Sequence, residues 1–204
     1  IETGTRVDEE SVAGGARVVV ATGGRAGEQG FDATASARVP TAAEVLDALA
    51  AGTADDVLGR GAVLVWDPVG GPVGVSVAES LAAAGRTVHL ATGDHIVGNE
   101  LSRSGDLAPA NARLQQAGVV LHRRVRLVRV TARSAELLGR FDGTATALAV
   151  GAVVDAGHRL PEESLWDSVA HRPEVRAVRA GDAVAPRTVM EAVLEGRRAA
   201  VELG

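Results

Sequence analysis

Three clusters in this 204-residue chain have the residue types and spacing to meet a nucleotide. The first is Asp-Pro-Val-Gly-Gly-Pro-Val-Gly, Asp67 to Gly74. A strand that turns into a helix against a pyrophosphate needs glycine at the sharp turn, where backbone nears the phosphates, and where helix packs on strand. Gly71 and Gly74 keep the spacing of the second and third of these, while the first falls on Val69, with Gly70 beside it. Asp67 ends the strand, and a carboxylate there repels a phosphate. At the end of the next strand, Ala91 and Thr92 occupy the place of an acid that would hold ribose hydroxyls. Asp94 or Arg103 would replace that acid only if a loop carried it inward. Two readings stay open: a working NAD(P) turn, or the same fold kept without tight NAD(P) binding.

The second cluster is Val-Val-Val-Ala-Thr-Gly-Gly, where a buried strand runs into Thr22, Gly23 and Gly24. Small residues there let another body come close, either a cofactor or backbone, and a plain tight turn is the simpler alternative. The third lies near the end of the chain. Val175 to Val178 reads as a short strand, Gly181 and Asp182 end it, and Pro186 suits the first turn of a helix that also takes in Arg187 and Thr188. Asp182 then lies near a helix N-terminus whose free N–H groups favour an anion or a carbonyl oxygen, or it merely caps that helix. Met190, Val193, Leu194, Arg197 and Val201 recur at helical spacing, which predicts one face packed inward.

Composition narrows the chemistry further. Cysteine, lysine and tyrosine are all absent. This chain therefore supplies no disulfide, no thiolate nucleophile, no cluster cysteine, no Schiff-base lysine and no phenolic acid. A net charge of −5 with scattered arginines argues against a nucleic-acid surface. No run approaches a membrane span and no signal peptide opens the chain, so a soluble, cytoplasmic protein is expected. The five histidines show no metal-site spacing, and no metal site is expected. Trp66 and Trp166 are read as packing residues.

The elements that must position these clusters follow from apolar patterning. Ala16–Gly24, Gly61–Gly71 and Thr87–Gly93 read as buried parallel strands. Val73, Val77 and Leu81 mark a helix that Gly85 stops, giving one βαβ unit. Thr41 and Glu44 form a capping box, and Ala108–Gly118 reads as a further helix. Val119–Ala132 alternates like half-exposed antiparallel strands, with Val125, Leu127 and Val130 inward and the arginines out. Ala145–Gly157 is strand-like. The predicted class is α/β, a Rossmann-like FAD/NAD(P)-binding fold. Its first nucleotide-binding domain, residues 1–58 and 152–204, is incomplete, and a second domain, 59–151, is inserted in it.

Together these segments resemble the C-terminal half of the flavin oxidoreductases typified by trimethylamine dehydrogenase and 2,4-dienoyl-CoA reductase. The segment Ala21–Gly24 is similar to that family's ATGxxP, although the proline is missing here. Residues 63–92 are similar to its nucleotide-binding insert, and Ala180–Ala200 to its closing GD…PR…EG segment. The family joins an N-terminal barrel, carrying flavin mononucleotide and an iron–sulfur cluster, to two nucleotide-binding domains.

The resemblance implies that the terminal segments bind FAD or ADP. Asp182 would take sugar or ribityl hydroxyls, Arg187 would face flavin or phosphates, and Gly23 and Gly24 would pass close to the same molecule. NAD(P)H is a further candidate ligand, of the insert. The barrel, the flavin mononucleotide and the iron–sulfur cluster would belong to an upstream domain or a companion subunit, and an oligomer is expected. The expected function is thus the nucleotide-binding portion of a flavin-dependent oxidoreductase with no complete active site of its own. The alternative is a non-catalytic docking module with a degenerate dinucleotide fold.

Overall fold

The computed structural model describes all 204 residues. In chain order its first six strands are β1 (Arg17–Val20), β2 (Gly24–Ala26), β3 (Asp32–Ala33), β4 (Val63–Trp66), β5 (Val88–Ala91) and β6 (Val120–His122). Six more follow: β7 (Val125–Val130), β8 (Ser134–Gly139), β9 (Ala145–Ala149), β10 (Ala152–Asp155), β11 (Arg159–Pro161) and β12 (Arg176–Arg179). The helices are α1 (Ala42–Ala51), α2 (Ala54–Leu58), α3 (Pro72–Ala83), α4 (Leu107–Gln116), α5 (Ser164–Val169) and α6 (Val189–Leu203). No helix is long and apolar enough to cross a membrane.

The chain divides into a terminal unit, Ile1–Gly27 with Arg159–Gly204, and a central unit, Glu28–His158. The boundaries differ from those read in the sequence at 58/59 and 151/152. Helix α1 packs Ala42 and Val45 into the central core, and β10 pairs with β4, so both belong to the central unit.

In the central unit β10-β4-β5-β6 is a parallel sheet covered on both faces, as parallel sheets require. Strand alternation sends Val63, Val65, Val88, Leu90, Ala152 and Val154 into a core shared with α1, α3 and α4. Leu64, Trp66, Ala91 and Val153 face the other way, into a core shared with the sheet β3-β7-β8-β9. Each fully buried Val or Leu contributes about 1.5–3 kcal/mol. Thr41 caps α1 as expected. Its hydroxyl accepts from Glu44 N at 3.3 Å, and Glu44 Oε2 accepts from Thr41 N at 2.7 Å.

Three local readings change. Val73 is exposed, and α3 instead buries Gly74, Val75, Val77, Ala78 and Leu81. Val119–Ala132 does not form one antiparallel arrangement: β6 runs parallel to β5, and only β7 pairs antiparallel, with β8. A register shift between Leu127 and Arg129 lets Leu127 and Val130 both point inward despite their odd spacing. Ala145–Gly157 breaks at Val150-Gly151 into β9 and β10, which lie in different sheets.

The terminal unit is built on β1 and β12, which pair in parallel with Val18 beside Ala177 and Val19 beside Val178. The two ends of the chain thus share one sheet, as expected. Val12, Val20 and Val169 form its core, with Val18, Leu165, Trp166 and Ala177 packed around them. Helix α6 lies against the same strands through Ala199 and Leu203. Arg17 Nη1 donates to the Leu203 carbonyl at 2.6 Å and Arg176 Nη2 to that of Glu202 at 2.5 Å, placing positive charge on the helix C-terminus, where it is stabilising.

Two expectations about α6 fail. It begins at Val189, after Thr188, so Pro186 lies in the preceding loop and not in the first turn. Its apolar stripe also faces outward: Val189, Met190, Val193 and Val201 are each more than two-thirds exposed. The buried residues of α6 are instead Ala199 and Leu203, with Ala192 half-buried beside Gly181.

Candidate functional site

The terminal unit gathers most of the predicted residues at the carboxyl ends of β1 and β12, the edge where open parallel sheets bind ligands. After β1, Gly23 turns the chain at φ +81°, and the Thr22 hydroxyl donates to the Glu162 carbonyl at 2.7 Å. Strand β2 then pairs antiparallel with β11. Gly24 is required by close approach, since a Cβ there would lie 2.9 Å from the Leu160 carbonyl oxygen and 3.0 Å from Pro186 Cγ. The neighbour that Gly24 admits is therefore backbone and Pro186, both belonging to the protein.

After β12, Gly181 (φ +68°) opens a short 3-10 turn, Gly181–Ala183, and its N–H donates to Glu195 Oε2 of α6 at 2.9 Å. Asp182 sits in that turn and does not cap α6. Its Oδ2 pairs with Arg159 Nη1 at 2.8 Å, and its Oδ1 accepts from Arg187 N at 3.4 Å. Arg159 Nη2 reaches the Gly24 carbonyl at 2.6 Å. The Arg187 guanidinium folds back onto Glu195, and the Thr188 hydroxyl bonds Glu191.

Gly24, Gly181, Asp182, Pro186 and Arg187 thus share one constellation, with Thr22 and Thr188 at its margins. Arg159 and Glu195 are the residues that sequence reasoning missed. Arg159 reads as an ordinary exposed arginine until β11 is placed beside β2. Glu195 acquires a role only when the Gly181 turn is placed beside α6. Both guanidinium groups of the cluster are already paired, Arg159 with Asp182 and Arg187 with Glu195, and the N-terminus of α6 adds the positive end of its dipole beside them.

The central unit holds the remaining predicted residues, Gly70 and Gly71 in the turn between β4 and α3 and Gly74 in the first turn of α3. Gly71 is the N-cap of α3 and Pro72 its first residue. Asp67 is almost wholly buried, 1% exposed. Its Oδ1 accepts from Gly70 N at 2.8 Å and Val69 N at 3.2 Å, while Oδ2 has no partner. A Cβ on Gly74 would fall 2.7 Å from that carboxyl, and one on Gly70 would fall 2.7 Å from Asp94 Oδ2. Burial, reinforced by the Asp94 charge, pushes the Asp67 carboxyl up to about 6 against the pull of the two N–H bonds. Arg103 stays at the surface paired with Glu100, so it does not replace the missing ribose acid.

Two further features lie in the central unit. His89 Nδ1 and His122 Nε2, on adjacent strands, lie 3.0 Å apart. Burial lowers both imidazoles, and His89 lowers His122 further. A shallow groove of about 600 Å³ along α1, lined by Arg38, Glu44, Asp47 and Val57 among others, contains none of the predicted residues.

The fold is similar to that of several solved structures. Histamine dehydrogenase from Rhizobium sp. 4-9 superposes with TM-score 0.86 at 25% identity, over 98% of this chain and 32% of that one. It has the fold of the trimethylamine dehydrogenase type of flavoprotein. The 6-hydroxypseudooxynicotine amine oxidase of Pseudomonas geniculata N1, of the same type, gives TM-score 0.83 at 22% identity, over 96% of this chain and 30% of that one. The thioredoxin reductase of T. acidophilum gives 0.65 at 15% identity over 91% of this chain and 64% of that one. These last two likenesses speak for the Rossmann-type fold alone. The chain spans about a third of the length of the first two proteins. No family model and no curated protein matches the sequence.

Proposed function

We propose that this chain is the nucleotide-binding portion of a multi-domain flavin-dependent oxidoreductase, holding FAD or ADP in the terminal unit while substrate chemistry takes place in a barrel domain or companion subunit. The observation that carries this reading is the Gly24–Arg159–Asp182 constellation at the carboxyl ends of β1 and β12, in a chain that superposes over 98% of its length on a part of histamine dehydrogenase. A flavin held there supplies redox chemistry when bound; ADP supplies only a structural anchor. Asp182 would accept the sugar or ribityl hydroxyls, Arg159 would keep the carboxylate oriented, and the positive end of α6 would favour the phosphates.

The partner surface in this reading has two supports. The β1–β12 sheet has only two strands, which leaves parallel edges without neighbours, and the apolar stripe of α6 faces outward. Both are what an interface with further strands and an apolar partner surface requires.

The test is the nucleotide content of the complete assembly. Asp182→Ala should lower the FAD or ADP that copurifies at least roughly tenfold, the loss of one charge-assisted contact. An undiminished load in that variant would refute the assignment. A second reading, a scaffold that binds nothing, draws support from the Asp67 carboxyl lodged in the glycine turn of the central unit. Absence of any copurified nucleotide, with no heat on titrating ADP into the assembly, would favour it.

A further inference from the structure

We propose that the glycine turn between β4 and α3 is closed to NAD(P)H, because Asp67 stands in it as a built-in substitute for the phosphate. Two of the donors in the turn are already engaged on the protein side. The Val69 and Gly70 N–H groups, which a pyrophosphate would need, end on Asp67 Oδ1 at 3.2 and 2.8 Å. The carboxyl also fills the approach itself. Gly74, the position where a missing side chain lets helix and strand come together, has its free space taken up by Asp67, 2.7 Å from where a Cβ would be.

Approach from the next strand is closed as well. Asp94 Oδ2 lies 2.7 Å from the Cβ position of Gly70, and Glu100 N donates to the Gly70 carbonyl at 2.9 Å, which sets residues 99 and 100 beside the turn. An incoming diphosphate would have to displace the Asp67 carboxyl from its two backbone partners and move the Asp94 carboxylate aside. On the ribose side Thr92 is buried and its hydroxyl accepts from Asp94 N at 3.3 Å. With this turn occupied, α3 keeps its place on the sheet without any ligand. This inference concerns the central unit and stands whether or not the terminal unit holds FAD or ADP.

The experiment is an amide-resolved NMR titration of the nitrogen-15-labelled chain with NADH, NADPH and, separately, ADP. NADH and NADPH up to about 1 mM, the weak end of specific binding, should leave Val69, Gly70, Gly71 and Val73 unmoved. Saturable shifts centred on those four amides would overturn the proposal. ADP reports on the other reading through Gly181 and Asp182, so the two can fail separately. Hydrogen exchange gives an independent check on the same residues. Val69 and Gly70 amides should be protected in the native chain and in Asp67→Asn, which keeps an acceptor in place. In Asp67→Ala they should exchange roughly tenfold faster, with Val63–Val65 unchanged. Equal exchange of Val69 and Gly70 in all three proteins would also overturn it.

Discussion

Arg159 and Asp182 meet at 2.8 Å, and the other terminal nitrogen of the same guanidinium holds the Gly24 carbonyl at 2.6 Å. One side chain on β11 thereby ties the segment after β1 to the segment after β12. The ion pair is half in solvent, 46% and 25% exposed, so its own contribution is about 1 kcal/mol or less. Arg159→Ala should lower the urea midpoint of the terminal unit more than Arg159→Lys, which keeps the charge but not the fork. Equal midpoints for the two variants would show that the ion pair with Asp182 contributes nothing.

Gly23 and Gly24 are adjacent but serve different needs. Gly23→Ala places a side chain in open space at φ +81° and should cost about 1–2 kcal/mol in backbone strain. Gly24→Ala drives a methyl group against the Leu160 carbonyl and Pro186 and should cost about 1–3 kcal/mol through overpacking. Gly23→Asn, which tolerates the left-handed region, should recover most of the first loss. Gly24→Ser should recover none of the second. Thermal unfolding of the four variants separates strain from crowding.

Most of the framework was legible in the sequence because its signals are local. The capping box of Thr41 and Glu44, the Val-rich strands and the Gly85 stop each rest on residues within one turn of one another. What could not be read depended on distant partners. Arg159 acquires a role only when β11 pairs with β2, and the 33-residue gap between His89 and His122 hides their meeting on adjacent strands. The outward stripe of α6 was misread for a physical reason: helical periodicity identifies an apolar face but does not say what covers it, and Ala199 and Leu203 do the inward packing instead.

Asp67 should make stability fall as pH rises. Its folded value, about 6, lies above its ordinary 3.8, so the folded chain binds the extra proton in that interval. The stabilising contribution is complete below about pH 4 and is lost as pH passes through 6, a change on the order of 3 kcal/mol. The measurement is the stability of the native chain minus that of Asp67→Asn at each pH. A flat difference between pH 4 and 7 would contradict the raised carboxyl.

The histidine pair acts in the opposite sense. Both imidazoles are held below 6.5 in the folded chain, so the unfolded chain binds protons more readily and stability is lost as pH falls below 6.5. His122→Asn should flatten this acid limb without altering stability above about pH 7. Denaturant titrations at a series of pH values would show it, and an unchanged acid limb would mean that the pair is not titrating as a unit.

The pairing of Val18 with Ala177 has a consequence for how the chain is made. During synthesis β1 leaves the ribosome ahead of its partner strand, which follows only after the whole stretch from Glu28 to His158 has emerged. Contacts of such long range form slowly, so the nascent β1 spends that interval as an unmatched apolar strand, open to chaperones or to a neighbouring copy. The one charge within that strand's apolar run is Arg17 at its head, the position where a gatekeeper residue works against such pairing.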